Sequence, residues 1–154
     1  MAKKRPDMWY PATGFYFNVK VAGISEKADS RFKEVSGINM EVGSEKLTEG
    51  GVNNYTIVLP TQVSSTNLVL KRGMLKKSGG LLEWIEKCIT TDYSNPLELK
   101  NIDVQLLNSS GQPMVTWTFV DARPVKYLIS ELDAQKNDVL VETIEFTYTF
   151  FKRQ

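Results

Sequence analysis

Histidine is missing from all 154 residues, and cysteine occurs once, at Cys88. Without an imidazole the chain can use neither a histidine base nor a histidine-ligated metal. A single cysteine cannot close an internal disulfide, so the fold does not depend on an oxidising compartment. No run of about 18 or more apolar residues is present, so no helix is expected to span a membrane. Charge of one sign is lacking too: 19 basic residues face 18 acidic ones, a net charge of +1. A non-specific nucleic-acid binder shows a basic excess or stripe. Here the small clusters at Lys3–Arg5, Lys71–Arg72, Lys76–Lys77 and Lys152–Arg153 are spread along the chain. The start, Met1 to Asp7, is basic without an apolar stretch behind it, which is not the pattern of a secretory signal. If the protein leaves its cell, lysis or release as part of a particle is the expected route.

Sites of chemistry are equally sparse. Neither G-x-x-x-x-G-K-[ST] nor G-x-G-x-x-G occurs. Gly79–Gly80 before a helix reads as a flexible entrance and not a phosphate cradle. Carboxylates at Glu45, Glu49, Asp92, Asp103, Asp121 and Asp133 are scattered and read as solvated charges. Ser36 lacks the preceding glycine of a nucleophile elbow. No catalytic residue, cofactor or metal is expected.

What is present is a pattern of strands. The length suits one domain with one core. In Gly14–Gly23, Phe15, Phe17, Val19 and Val21 alternate with Tyr16, Asn18 and Lys20, the period of a half-buried strand. Phe32–Val42 is extended with a bend or bulge at Gly37. Tyr55–Leu59 is a short strand expected to end at Pro60, and Asn67–Arg72 is another. Ile102, Val104 and Leu106 alternate, Asn108–Pro113 turns the chain, and Val115, Trp117 and Phe119 alternate back. Arg123–Pro124 should break or bulge that strand. Val139–Phe151 reads as one long strand, with Leu140, Ile144, Phe146, Tyr148 and Phe150 on one face.

One helix is expected, from about residue 79 to 90. Leu81, Leu82, Ile85, Cys88 and Ile89 form its apolar stripe. A helix this short with one apolar stripe is built to lie on a sheet. One helix among six or more strands leaves mostly antiparallel connections. The expected fold is mainly β: a barrel of antiparallel strands, closed or nearly so, with one flanking α-helix; a sandwich with a flanking helix is the alternative. Residues 1–13, with Pro6 and Pro11, form an extended arm, and residues 14–154 a single domain.

Two features point beyond the monomer. The last strand carries β-branched or aromatic residues on both faces, whereas a monomeric antiparallel sheet usually has one polar face. The polar segment 43–54 has no core-facing period and reads as a long loop or protruding hairpin. Within it Glu45, Glu49, Gly50, Gly51, Asn53 and Asn54 are candidate contacts between stacked subunits, as is Trp9 in the arm.

Several segments in order, Tyr10–Val19, Phe32–Ile38, Glu49–Tyr55, Leu68–Gly73, Ile102–Leu107 with Val115–Phe119, Ala122–Tyr127 and Asn137–Ile144, resemble the tail tube proteins of contractile phages and related extracellular injection systems. The resemblance spans nearly the whole chain and departs at Pro60–Asn67, at the basic start and at the aromatic end. It implies a β-barrel with one helix and no enzymatic activity or cofactor. It implies six-membered rings stacked into a tube, either as the shaft or as a specialised ring joining shaft to baseplate, with sheath subunits, baseplate hub and spike, and tail terminator as partners, and DNA or protein cargo passing without specific binding. Such a tube sits in a virion tail or an extracellular phage-tail-like particle assembled in the bacterial cytoplasm. The secreted ring protein of type VI secretion is similar in fold. A small-ligand carrier using the barrel interior is the rival from another class.

Overall fold

A computed structural model describes residues 16–24, 32–47, 51, 56–74, 79–90, 96–132 and 138–154. The chain forms strands β1 (Phe17–Val21), β2 (Glu34–Ser36), β3 (Glu41–Leu47), β4 (Ile57–Ser64) and β5 (Leu68–Gly73), then helix α1 (Gly80–Thr90). Strands β6 (Lys100–Leu107), β7 (Pro113–Ile129), β8 (Val141–Thr147) and β9 (Phe150–Arg153) follow. The main sheet runs in the order β1-β6-β7-β8-β5-β2, with β9 also paired to β7. All of its pairings are antiparallel. Among the described residues β1 and β2, the two ends of this path, do not pair with each other.

The fold turns on β7. Its first half pairs with β6 on one side and β9 on the other, and its second half pairs with β8. Between the halves Asp121 takes a positive φ of 53°, and the register shifts between Pro124 and Lys126. The break expected at Arg123–Pro124 is thus a bulge within one long strand, and bulges bend the strand that carries them. The partner strand must bend as well. The stretch read from sequence as a single strand divides into β8 and β9 at Tyr148–Thr149. This bend changes the phase of alternation. Phe151 turns into the core, tilted on Phe119 at 5.2 Å, while Phe150 is exposed.

The core lies between the two halves of the folded sheet. Val19, Leu68, Leu70, Ile102, Val104, Phe119, Ile144 and Phe146 are buried in it, each on the inward phase of its strand. Helix α1 adds Leu81, Trp84 and Ile85. The buried stripe is therefore shifted from the one read off the sequence. Trp84 belongs to it, stacked on Phe146 at 5.7 Å, Cys88 is half-buried at its margin, and Ile89 is exposed. The indole N–H of Trp84 donates to the Glu98 carbonyl at 2.8 Å, which satisfies the one polar atom of a buried ring.

Candidate assembly interface

Strands β3 and β4 form a two-stranded sheet of their own, outside the main one. They arise from the β2–β5 pair: β2 runs on through 37–40 into β3, and β4 returns through 65–67 into β5. The result is an arm rooted at the sheet margin. Of the segment 43–54, residues 43–47 belong to strand β3, and 48–50 and 52–54 lie outside the described residues. Strand β4 also runs through Pro60 instead of ending there. A two-stranded ribbon leaves each strand one unpaired edge, where the missing N–H of proline breaks no ladder. The register shift between Val42 and Ser44 falls beside it.

Both faces of the arm carry exposed apolar residues, beside Glu45 on one and Ser44 and Lys46 on the other. From the pairing register, Leu47, Ile57 and Leu59 share one face, while Val42, Val58, Pro60 and Val63 share the other. Every residue of β4 is exposed, and Val42 and Val63 are each 56% accessible. Isolated two-stranded hairpins are marginal in water at best, and large apolar side chains left in solvent forgo about 1.5–3 kcal/mol each relative to burial. Such an arm is stable when something covers it.

A second exposed apolar group lies at the other end of the same sheet. The arm leaves from the start of β5, and the group gathers at its end: Met74, Ile129, Leu132 and Val139, with Leu132 79% accessible. Met74 N–H donates to the Leu140 carbonyl at 2.9 Å, which fixes the end of β5 beside the start of β8. Between the two apolar ends, the outward face of the sheet is polar with matched charges. Lys71 bonds Glu34 at 2.8 Å and Lys126 bonds Glu145 at 3.4 Å.

Of the contact residues read from sequence, Glu45 lies exposed on β3 opposite Leu59, and Gly51 is exposed near the tip of the arm. Trp9, Glu49, Gly50, Asn53 and Asn54 lie outside the described residues. The sequence reading passed over the apolar residues of the arm. The signal was present in Ile57-Val58-Leu59, because three consecutive apolar residues in a strand necessarily put apolar groups on both faces.

A protein-family model, that of the T4-like virus tail tube protein gp19, matches residues 13–152. The chain belongs to this tail tube family. Solved structures agree. A chain in the cryo-EM structure of the anti-feeding prophage baseplate is 28% identical, with 94% of this chain and 96% of that one covered and a TM-score of 0.78. A chain in the extended sheath-tube complex of PVC, an extracellular contractile injection system, is 26% identical, with 96% and 93% covered and a TM-score of 0.79. Hcp1 from Flavobacterium johnsoniae, at 18% identity, 90% and 94% coverage and a TM-score of 0.51, shares the fold. No curated protein sequence matches the chain. Among its described residues the tail tube protein thus has a mainly antiparallel β fold with a single helix.

Proposed function

We propose that this tail tube protein closes into six-membered rings, and that the rings stack into the inner tube of a contractile phage tail or phage-tail-like injection system. The observation that carries the reading is the β3–β4 arm, with exposed apolar residues on both faces in the single subunit. Its apolar counterpart around Met74, Leu132 and Val139 lies at the opposite end of the sheet. Two different surfaces at opposite ends make a heterologous contact, and heterologous contacts build rings or filaments rather than two-fold dimers. The subunit's role on this reading is structural and not enzymatic. Its partners are its own copies, sheath subunits, and the baseplate and terminator proteins at the two ends of the tube, in an extracellular particle. Cargo crosses the channel without being held. Glu45 and Gly51 of the arm contact the next ring, and Glu49, Gly50, Asn53, Asn54 and Trp9 are the further contact residues that the sequence suggests.

The carrier reading requires the interior of the sheet to hold a ligand. That space is filled by Phe119, Phe146, Leu68, Leu70 and Ile144, all fully buried.

Negative-stain microscopy of the purified protein tests the proposal, and rings or hollow rods are the expected result. The double variant Val58→Lys/Val63→Lys changes only residues exposed in the single subunit, so it should stay folded and run as a monomer. Wild-type protein that sediments as a monomer at every concentration would sink the reading.

A further inference from the structure

The root of the arm is a break in an otherwise continuous ladder. Strand β2 pairs with β5 as far as Ser36↔Val69, and pairing resumes at Glu41↔Ser64. Gly37 opens the break with a φ of +87°, in a position where a Cβ would lie 2.0 Å from the Asn67 carbonyl oxygen. Only glycine fits there without displacing backbone. Across the gap, side chains replace the missing ladder bonds. Asn39 Oδ1 accepts from Thr66 N–H at 3.2 Å and from Thr66 Oγ1 at 2.6 Å. The Thr66 carbonyl accepts from Tyr148 Oη at 3.0 Å. Thr66 is therefore held at three atoms, by the arm's own strand on one side and by Tyr148 on the other.

Tyr148 is anchored at its other end. It sits at the bend between β8 and β9, with its ring edge-on to the buried Phe119 at 4.8 Å and to Phe151 at 6.1 Å. The corner of the core thereby reaches the root of the arm through one phenol. The lever is long. Strand β3 has seven residues and spans about 23 Å at roughly 3.3 Å per residue, so a tilt of about 10° at the root moves the tip by about 4 Å, nearly the spacing between adjacent strands.

We propose that Asn39, Thr66 and Tyr148 form a clasp that fixes the angle of the arm before assembly, which makes Tyr148 a positioning residue for the contact between subunits. The inference rests on the reading of the arm as the assembly element. Preorganisation of this kind lowers the ordering cost of association. It assigns the Tyr148 hydroxyl a role separate from its ring, whose packing belongs to the core.

The test uses the full chain and two readouts. The first is the distance distribution between spin labels at Lys46→Cys on the arm and Ser109→Cys in the β6–β7 turn. It is measured in a Cys88→Ser background that carries Val58→Lys/Val63→Lys to hold the protein monomeric. The second is the concentration at which protein without the lysine substitutions assembles. Tyr148→Phe keeps the ring, so thermal melting should shift by no more than a few degrees. It should broaden the label distribution about twofold and raise the assembly concentration about tenfold. Asn39→Ala should do the same, and Asn39→Asp, which keeps the acceptor oxygen, should restore both. An unchanged distribution in Tyr148→Phe and Asn39→Ala overturns the clasp. A broadened distribution with unchanged assembly overturns the positioning role. Wild-type protein that never assembles overturns the functional reading of the arm instead, while the label distances still decide whether the clasp exists.

Discussion

Arg72 and Glu142 face each other directly across the β5–β8 ladder, Nε to Oε2 at 2.8 Å, with both side chains only 3% exposed. They sit on the core phase of their strands, in line with Leu70 and Ile144. The arginine also lies over the Phe32 ring at 5.6 Å, and Tyr127 Oη donates to the second carboxylate oxygen at 3.2 Å. A buried charge that loses its partner is costly, whereas an apolar pair of similar volume is tolerated. Arg72→Ala or Glu142→Ala alone should each destabilise the subunit by about 3–5 kcal/mol. The double variant Arg72→Met/Glu142→Leu should recover most of that loss. Urea titrations followed by circular dichroism measure all three, and single variants near wild-type stability would show that the pair is not desolvated.

Tyr127 gives an alkaline signature. Burial pushes its phenol above the ordinary range, and the negative charge of Glu142 and the hydrogen bond to it push in the same direction. A raised folded-state pKa means that the folded protein holds this proton more tightly than the unfolded chain. The contribution to stability is therefore complete below about pH 10, the unfolded value, and is lost as pH rises through the folded value. Tyr127→Phe should be less stable than wild type at neutral pH, by about 1 kcal/mol for the lost hydrogen bond. Its stability should also fall less steeply above pH 10. Parallel slopes for the two proteins between pH 9 and 11 would contradict this assignment.

Two isoleucines on the helix separate buried from exposed. Ile85 is 1% accessible and Ile89 45%. Ile85→Asp places an unpaired carboxylate in the core, at a cost of several kcal/mol, comparable with the ~5–15 kcal/mol total stability of a domain. It should yield unfolded or insoluble protein. Ile89→Asp should remain folded, with stability changed by about 0.5 kcal/mol or less. Equal behaviour of the two would mean that α1 does not lie on the sheet through Leu81, Trp84 and Ile85.

Cys88 should be a slow thiol. Partial burial raises its pKa, against a smaller opposing effect of backbone hydrogen bonding at Glu98. Less thiolate is then present at neutral pH than in a free cysteine, and the thiolate is the reactive form. Labelling by a disulfide reagent should be slower in the native protein than in denaturant at pH 7. The gap should narrow as pH rises. Native labelling at the denatured rate would place Cys88 outside the core margin.

The sequence by itself determined the strand-rich fold and the helix at Gly80–Thr90, because these rest on local periodicity. Phe17, Val19 and Val21 in β1, Ile102 and Val104 in β6, and the turn at Asn108–Pro113 were legible in the alternation of side chains and in turn chemistry. The lack of histidine excluded an imidazole base or ligand, and neither nucleotide-binding motif occurs. Order and spacing of short segments carried the family resemblance, which the match over residues 13–152 established.

Only the tertiary structure decided what each face meets. Alternation placed Phe150 with Phe146, but the bend at Tyr148–Thr149 reversed the phase and sent Phe151 inward, because β9 follows β7 around a corner set far away in sequence. Arg72 reads as a surface charge beside Lys71 until β8 brings Glu142 opposite it. Val42 reads as the end of one strand, and Val58 and Leu59 as part of another that stops at Pro60, until the fold pairs them, with Val63, outside the main sheet. The physical reason is the same in each case. Periodicity is a property of neighbours in the chain, while burial and charge pairing are set by partners tens of residues away.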